Sequence, residues 1–163
     1  MKKRTTFIGA VLSLFPLGQP LLLKTGALLS TTGLMISLPE KVNSESNDFY
    51  FNRALEKGEK GDYYGAISDF TKAIEINPSD DAYYNRGWNK QKLEDYYGAI
   101  ADYTKAIEIN PNYRNAYLNR GRSYYSLNDK GSACKDFKKA VFLGSTSTEE
   151  WLNSEGGSWC RNI

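Results

Sequence analysis

The stretch DYYGAISDFTKAIEINP at residues 62–78 recurs as DYYGAIADYTKAIEINP at residues 95–111, and 15 of the 17 positions are identical. The two copies begin 33 residues apart, and a third, weaker version, DKGSACKDFKKAVFLG, follows at residues 129–144. Self-similarity at a fixed period of this length is typical of repeat architectures. The repeat therefore decides the fold, and it predicts three units at residues 47–79, 80–113 and 114–147.

Each unit contains two predicted helices. In the second unit, Ala99, Tyr103 and Ala106 recur at intervals of four and three residues, so they share one face of a helix. Asp95 is placed to cap the start of this helix, and Asn110-Pro111 ends it. The first unit repeats this pattern, whereas the third lacks the proline and ends at a glycine.

A helix–turn–helix unit of about 34 residues, with a small residue in its first helix, alanines in its second and a closing proline, resembles the tetratricopeptide repeat. The resemblance covers residues 47–147, and the NRG and GSACKDFKKAVFLG spellings are similar to those of small bacterial and cyanobacterial proteins of this family. The matching positions are Tyr50, Ala54, Ala66, Phe70, Ala73 and Pro78 in the first unit, Tyr83, Gly87, Ala99, Tyr103, Ala106 and Pro111 in the second, and Tyr117, Gly121, Ala133, Phe137 and Ala140 in the third, where Ser145 replaces the proline.

The resemblance implies an all-α, right-handed solenoid of three units. One unit cannot bury its apolar face alone, and three are about the number that a stable stack needs. Arrays of this family usually end in an extra helix, which predicts a C-terminal cap at residues 148–163. A helix starting at Thr148 would place Trp151, Leu152 and Trp159 as candidates to cover the last apolar face.

The resemblance also implies a non-catalytic protein–protein interaction module. In this family the first helix of each unit lines a concave groove that holds a peptide or protein partner, and an open aromatic strip is usually a partner surface. The asparagine at the sixth position of each unit would bond the partner's backbone or serve its own helix. The predicted groove residues are Phe51, Asn52, Leu55, Tyr84, Asn85, Trp88, Gln91, Lys92, Leu118, Asn119, Arg122 and Tyr125. Six of these residues would form such a strip: Phe51, Leu55, Tyr84, Trp88, Leu118 and Tyr125. The alternative is that the short array closes over this strip, or that the N-terminal segment lies in it.

Some members of the family clamp a C-terminal carboxylate with lysines and an arginine, as in chaperone docking. The equivalent places here hold Phe51, Leu55, Asn115 and Asn119, and only Asn85 fits. The sequence therefore does not predict a clamp of this type.

Composition excludes several other classes of function. The chain has no histidine, the commonest general base and metal ligand, and its two cysteines cannot complete a zinc site. No catalytic, metal or cofactor site is predicted. Beyond residue 40 the charge is nearly balanced, so no nucleic-acid surface is predicted. Three recurring pairs at i,i+3 are predicted to be solvated ion pairs of small energy: Asp69/Lys72, Asp102/Lys105 and Asp136/Lys139.

The two cysteines allow two interpretations. Cys134 lies on the face that would meet a following repeat, where the segment carrying Cys160 should lie. In an exported protein a disulfide between them would pin the end cap. The alternative is a buried thiol and a separate thiol in the tail.

Residues 1–40 differ from the repeats. A basic start leads into the uncharged run FIGAVLSLFPLGQPLLL at residues 7–23, and a second apolar run ends at residue 38. This pattern predicts either a cleaved signal peptide or a retained membrane anchor, with export to a periplasm or thylakoid lumen or attachment to a membrane. The alternative is a helix that packs on the repeat domain of a cytoplasmic protein. Residues 41–46 are predicted to be a short linker.

The alternative to partner binding is a structural protein whose repeat surfaces form a homo-oligomer.

Overall fold

The structure is a computed structural model that describes residues 40–161. The predictions for residues 1–39 and for the last two residues lie outside this range. Within it the chain forms eight helices. They are α1 (Glu40–Glu59), α2 (Tyr63–Ile76), α3 (Asp80–Lys92), α4 (Tyr96–Ile109), α5 (Arg114–Ser126), α6 (Lys130–Phe142), α7 (Thr146–Asn153) and α8 (Ser158–Arg161).

Six of these helices form three helix hairpins, one for each predicted unit. Helix α1 packs on α2, α3 on α4 and α5 on α6. Neighbouring hairpins stack because α3 also packs on α2, and α5 also packs on α4. No strand forms between residues 40 and 161. The all-α repeat fold predicted from the duplicated stretch is therefore confirmed.

The start of α1 differs from the prediction. Residues 41–46 belong to this helix, which begins at Glu40, and do not form a linker. A polar composition does not oppose a helix here, since Glu and Lys are good helix formers and the segment runs directly into a helix that packs on α2. Asn47 secures this end of α1, because its Nδ2 donates to the Ala73 carbonyl at 2.8 Å.

The helix boundaries follow the predicted capping chemistry. Asp62, Asp95 and Asp129 each accept a hydrogen bond from a backbone N–H three residues later, at 2.9, 3.0 and 3.0 Å. Such a bond satisfies one of the amide groups that a helix start leaves without a partner. Helix α6 is followed by Gly144, whose φ of 90° is a conformation that favours glycine. The predicted caps and the glycine stop are confirmed.

Small residues bring the two helices of each hairpin together. A Cβ added to Gly87 would lie 3.0 Å from Tyr103, and one added to Gly121 would lie 2.8 Å from Phe137. These contacts require the small residues that the repeat supplies. The equivalent Ala54 is fully buried, as are Ala66, Ala99 and Ala133 on the second helices of the three units. The closing prolines, by contrast, are exposed and take no part in the core.

The recurring aspartates of the second helices are buried and do not form the solvated i,i+3 pairs that the sequence predicted. Asp69, Asp102 and Asp136 are only 1%, 3% and 5% exposed. Each accepts two hydrogen bonds, of 2.6–2.9 Å, from an arginine 16 residues earlier on the first helix of its own unit. The three arginines are Arg53, Arg86 and Arg120.

Two further lysines pair with the buried aspartates, whereas the three lysines of the predicted i,i+3 pairs contact other groups. Lys57 and Lys90 each lie 2.8 Å from the buried carboxylate of their unit. Lys105 pairs instead with Glu108. Lys72 and Lys139 lie over the rings of tyrosines, at 5.2 and 5.8 Å from the ring centroids. A buried carboxylate needs such partners, which explains why the pairing reaches across the hairpin.

The arginines also connect one unit to the next. Arg86 Nη1 donates to the Thr71 hydroxyl of the preceding unit at 3.1 Å. Arg120 Nη1 donates in the same way to Thr104 at 3.0 Å. Each guanidinium therefore joins a buried carboxylate of its own unit to a hydroxyl of its neighbour.

Acid is expected to weaken the first unit through Asp69. The hydrogen bond from Arg53 and the charge of Lys57 hold the pKa of this carboxyl at about 2, below its ordinary value of about 3.9. The depressed pKa contributes stability that is fully present above about pH 4 and is lost as the pH falls toward about 2. Because both partners are partly exposed, we expect a loss on the order of 1–2 kcal/mol.

Urea unfolding at pH 5 and at pH 2.5 measures this effect. Between the two pH values the variant Asp69→Asn is expected to lose about 1–2 kcal/mol less stability than the wild type does. An identical loss in both proteins would show that the pKa of Asp69 is the same in the folded and unfolded states.

The chain ends in a cap built from α7 and α8. Helix α7 begins at Thr146, two residues before the predicted Thr148. Trp151 packs edge-on against Phe137, with the ring centroids 5.2 Å apart. Trp159 of α8 lies 6.2 Å from Trp151. The predicted cover of the last apolar face is thus made by both tryptophans.

A disulfide joins this cap to the last repeat. Cys134 of α6 and Cys160 of α8 are bonded, with their Cα atoms 5.4 Å apart. Both residues are buried, at 1% and 0% exposure. The bond holds α8 against α6 across 26 residues of sequence.

Candidate functional site

The predicted groove residues lie on α1, α3 and α5, the first helices of the three units. Three pockets follow one another along these helices and α7, and ten of the twelve predicted residues line them. The exceptions are Phe51 and Asn52. The ring of Phe51 packs edge-on against Phe70, with the centroids 5.5 Å apart, and Asn52 is exposed.

The first pocket lies between α1 and α3 and has a volume of about 270 Å³. Leu55, on its wall, is 37% exposed. Trp88, on the opposite wall, is half-buried and packs edge-on against Tyr63, with the centroids 6.2 Å apart. Aromatic and aliphatic walls of this kind suit an apolar side chain. The pocket is lined by Leu55, Gly58, Glu59, Phe70, Tyr84, Asn85, Trp88 and Asn89.

The central pocket lies between α3 and α5 and has a volume of about 260 Å³. Its lining is mainly polar, and it includes two cations, Lys92 and Arg122. The ammonium of Lys92 lies 4.9 Å from the centroid of the Trp88 indole. Arg122 donates a hydrogen bond of 3.1 Å to Asn119 Oδ1. The pocket is lined by Trp88, Gln91, Lys92, Tyr96, Asn119, Arg122 and Ser126.

The third pocket lies between α5 and α7 and is the largest of the three, at about 390 Å³. Tyr125 forms part of its wall and is 47% exposed, although its ring stacks on Trp159 of the cap at 5.5 Å. The cap therefore supports one end of the groove without closing it. The pocket is lined by Leu118, Arg122, Tyr125, Ser126, Phe137, Ser147, Thr148 and Trp151.

The three pockets form one continuous groove. Trp88 lines both the first and the central pocket. Arg122 and Ser126 line both the central and the third pocket. The groove therefore has an apolar end on each side of a polar, positively charged centre.

Tyr84, which lines the first pocket, belongs to a cluster of three tyrosines. The ring of Tyr84 lies 4.9 Å from that of Tyr113 and 5.7 Å from that of Tyr103. Tyr113 donates to Asp81 Oδ1 at 2.6 Å, and Tyr103 donates to Gln91 Oε1 at 2.8 Å. Burial raises the pKa of all three phenols, so they stay neutral. Tyr103 and Tyr113 donate a hydrogen bond each, whereas the Tyr84 hydroxyl accepts one from Asn119.

The predicted asparagines differ in what they contact. Asn85 Nδ2 donates to the Asp81 carbonyl of its own helix at 2.8 Å. Asn119 is buried, and its Nδ2 donates to the Tyr84 hydroxyl at 2.9 Å. Both amide donors are therefore engaged within the protein. A role toward a partner's backbone stays a prediction, for which the Asn85 Oδ1 acceptor is the better placed group.

Several residues that line the three pockets were not predicted from the sequence. Asn89 is 2% exposed and donates to the Asn85 carbonyl at 2.7 Å, while its Oδ1 has no hydrogen-bond partner among the described residues. Tyr96 reaches the central pocket from the start of α4. The walls from α7 were missed because the sequence treated this helix only as a cover, although it follows α6 as the first helix of a further unit would.

The part of the chain between residues 40 and 161 holds no cluster of three metal-ligating side chains. Over the same residues, no helix is both long enough and apolar enough to cross a membrane.

Family models of the tetratricopeptide repeat match this chain over residues 81–113 and, with a second model of the same repeat, over residues 48–80 and 115–141. Together the matches span more than half of the chain and follow the three hairpins. The chain belongs to the tetratricopeptide-repeat family. No match was found among curated protein sequences.

Solved structures with the same fold are also tetratricopeptide-repeat domains. The Arabidopsis OM64 domain is 24% identical with a TM-score of 0.66, and the match covers 74% of this chain and 98% of that one. The second domain of human RPAP3, determined in complex with the HSP70 peptide SGPTIEEVD, is 22% identical with a TM-score of 0.63, covering 75% and 98%. The TPR2B domain of yeast Sti1, in a pHsp70 complex, is 24% identical with a TM-score of 0.60, covering 72% and 92%. At these identities the likeness establishes the fold alone.

Proposed function

We propose that this protein is a non-catalytic interaction module that binds a peptide or protein partner in the groove of α1, α3, α5 and α7. The observation that carries the proposal is the continuous line of three pockets with half-exposed apolar and aromatic walls. Aromatic side chains in such pockets are the usual anchors of binding energy. The repeat fold explains the spacing of the pockets, because each unit contributes one helix to the groove.

The structural neighbours support peptide binding as the mode of recognition, since the human RPAP3 domain is described in complex with an HSP70 peptide. We expect this protein to differ from chaperone-binding members of the family in how it treats the C-terminal carboxylate of its partner. The places that hold basic clamp residues in chaperone-binding members are occupied by Phe51, Leu55, Asn115 and Asn119 in this chain. The partner of this protein is therefore recognised along its length and not by a clamped C-terminal carboxylate.

Removing the indole of Trp88 is expected to weaken peptide binding at least tenfold, because Trp88 forms a wall of two of the three pockets. Peptides selected from a random displayed library on the immobilised full chain serve as probes. Their affinities for the wild type and for Trp88→Ala are then compared by fluorescence anisotropy.

The control is Tyr97→Ala, which removes an aromatic ring that is 76% exposed on α4 and lines none of the three pockets. Its affinity should stay within twofold of the wild type, and the helical circular dichroism of both variants should be unchanged. Equal affinities for the wild type and Trp88→Ala would exclude the groove as the binding site.

Export or membrane attachment through residues 1–40 completes the proposal. Their basic start and apolar runs support it, and the disulfide between Cys134 and Cys160 supports an oxidising compartment. Cell fractionation with intact-mass measurement distinguishes a cleaved signal from a retained anchor. A full-length product in the cytoplasm would contradict both.

A second candidate function is self-assembly. It is favoured by large side chains that stay exposed on the second helices, outside the groove: Tyr64, Tyr97 and Phe142 are 76%, 76% and 79% exposed. Light scattering separates the two candidates, since partner binding predicts a monomer and self-assembly predicts a stable oligomer that Tyr97→Ala weakens.

A further inference from the structure

We infer that the groove selects a peptide in which an acidic residue stands between two apolar ones. This inference rests on the proposed function and specifies its ligand. It follows from three properties of the groove: the unpaired cations of the central pocket, the apolar walls on either side, and the spacing of the helices that carry them.

The central pocket holds two cations that form no salt bridge with any carboxylate of the described residues. Lys92 and Arg122 are both exposed and belong to none of the salt bridges between residues 40 and 161, in contrast to Arg53, Arg86 and Arg120. No aspartate or glutamate lines this pocket. Two cations on facing helices are suited to one carboxylate, and a guanidinium with an ammonium forms strong charge-assisted hydrogen bonds to it.

The two cations line the same pocket, and each is positioned by a contact of its own. Lys92 is positioned over the Trp88 ring, and Arg122 is oriented by its hydrogen bond to Asn119. Asn119 is in turn fixed by Tyr84. This positioning reduces the loss of side-chain freedom on binding, which is a main cost of an exposed ion pair.

The flanking pockets take apolar side chains. Leu55 and Trp88 offer one apolar surface, and Leu118, Tyr125 and Trp151 offer the other. Glu59, in the first pocket, is the one carboxylate that lines any of the three. It lines the first pocket and not the central one, so it disfavours a second acidic residue in the first pocket.

The spacing of the pockets sets the spacing of the peptide. Neighbouring packed helices lie about 10 Å apart, and an extended chain advances about 3.3 Å per residue. The acidic residue is therefore expected about three residues from each apolar anchor.

Charge complementarity selects this occupant over the chain's own N-terminal segment. Residues 1–39 carry four basic side chains and no acidic one, so the central pocket would repel them. The experiment below distinguishes a peptide from a second copy of the chain as the occupant of the groove.

The test selects peptides from a random library on the full chain and on two variants. In the variant Lys92→Gln/Arg122→Gln both cations of the pocket are neutral. The control variant, Lys138→Gln, removes one exposed cation of α6 that lines none of the pockets. We expect peptides selected on the wild type and on the control to carry Asp or Glu about three residues from apolar residues on both sides. Selection on the double variant should keep the apolar residues and lose the acidic one.

Affinities of one selected peptide give the magnitude. Replacing its acidic residue by Gln should weaken binding to the wild type about five- to tenfold at low salt, less at high salt, and not at all in the double variant. Equal affinities of the Glu and Gln peptides for the wild type would overturn the inference.

The outcomes also separate the inference from the proposed function. Peptides that are indifferent to charge but lose affinity in Trp88→Ala leave the groove function intact and overturn only the acidic preference. A library that yields no binder overturns both. A dimer by light scattering that dissociates when peptide is added would identify a second copy as the occupant and would also overturn the inference.

Discussion

Replacing Asp102 with alanine is expected to lower the free energy of unfolding by about 3 to 5 kcal/mol. The carboxylate is 3% exposed and accepts hydrogen bonds from the Arg86 guanidinium at 2.7 and 2.9 Å. Lys90 adds a third contact at 2.8 Å. Without Asp102 two cations stay at the hairpin interface with no carboxylate between them, and the energy of that uncompensated charge is the main loss.

Urea unfolding of the full chain, followed by far-ultraviolet circular dichroism, measures the change. The matched control on the same helix is Glu108→Ala, which removes a carboxylate paired with Lys105 where both side chains are more than half exposed. We expect its effect to stay within about 0.5 kcal/mol. Similar losses in the two variants would show that burial does not distinguish the two ion pairs.

Breaking the disulfide between Cys134 and Cys160 is expected to have a comparable effect at the C-terminal end. Closing a loop of 26 residues is worth about 3.5 kcal/mol in the chain-entropy account of cross-links. Because each unit of a repeat array contacts only its neighbours, the loss should concentrate in α6, α7 and α8. Hydrogen exchange should rise there and stay nearly unchanged in α1 and α2.

Thermal unfolding with and without a reductant measures this second effect. In the double variant Cys134→Ser/Cys160→Ser the reductant should cause no further change, which separates the disulfide from other effects of the reagent. Two titratable thiols in the protein purified without reductant would contradict the bond. Loss of Trp159 from its stack on Tyr125 should also remove the support of this wall of the third pocket.

The sequence predicts the helices and the apolar core well because the same pattern of apolar and capping residues occurs in all three units. The positions of Ala99 and Ala106 follow from helical periodicity, and the capping role of Asp95 follows from its place before the helix. Both are local properties. The same holds for the small residue at Gly87, since its need for space arises within one hairpin.

The buried ion pairs could not be predicted in the same way. Asp102 has Lys105 three residues away, and local spacing favours that pair, whereas the structure pairs Asp102 with Arg86 on another helix. Which partner is chosen depends on which face of α4 meets α3, and this becomes known only after the helices are packed. The recurrence of Arg and Asp 16 residues apart in all three units was the signal that pointed to it.

The groove was predicted as a set of residues but not as three pockets of different character. Register alone places Trp88 and Arg122 on the correct helices. It does not show that Gln91 is engaged by Tyr103, which leaves Lys92 and Arg122 as the groups available at the centre. Nor does it show that α7 supplies a wall, since that contact depends on the turn after α6.

The arginine–threonine bonds between units have a consequence for how such a chain grows. A unit with both an arginine and a threonine can be copied in tandem, and the new copy finds a bonding partner on each side at once. Duplication then lengthens the protein and repeats the same bond at each new junction between units. The third unit has Lys138 where the others have Thr71 and Thr104. It offers no hydroxyl to a successor, so this position marks where the series of copies stops.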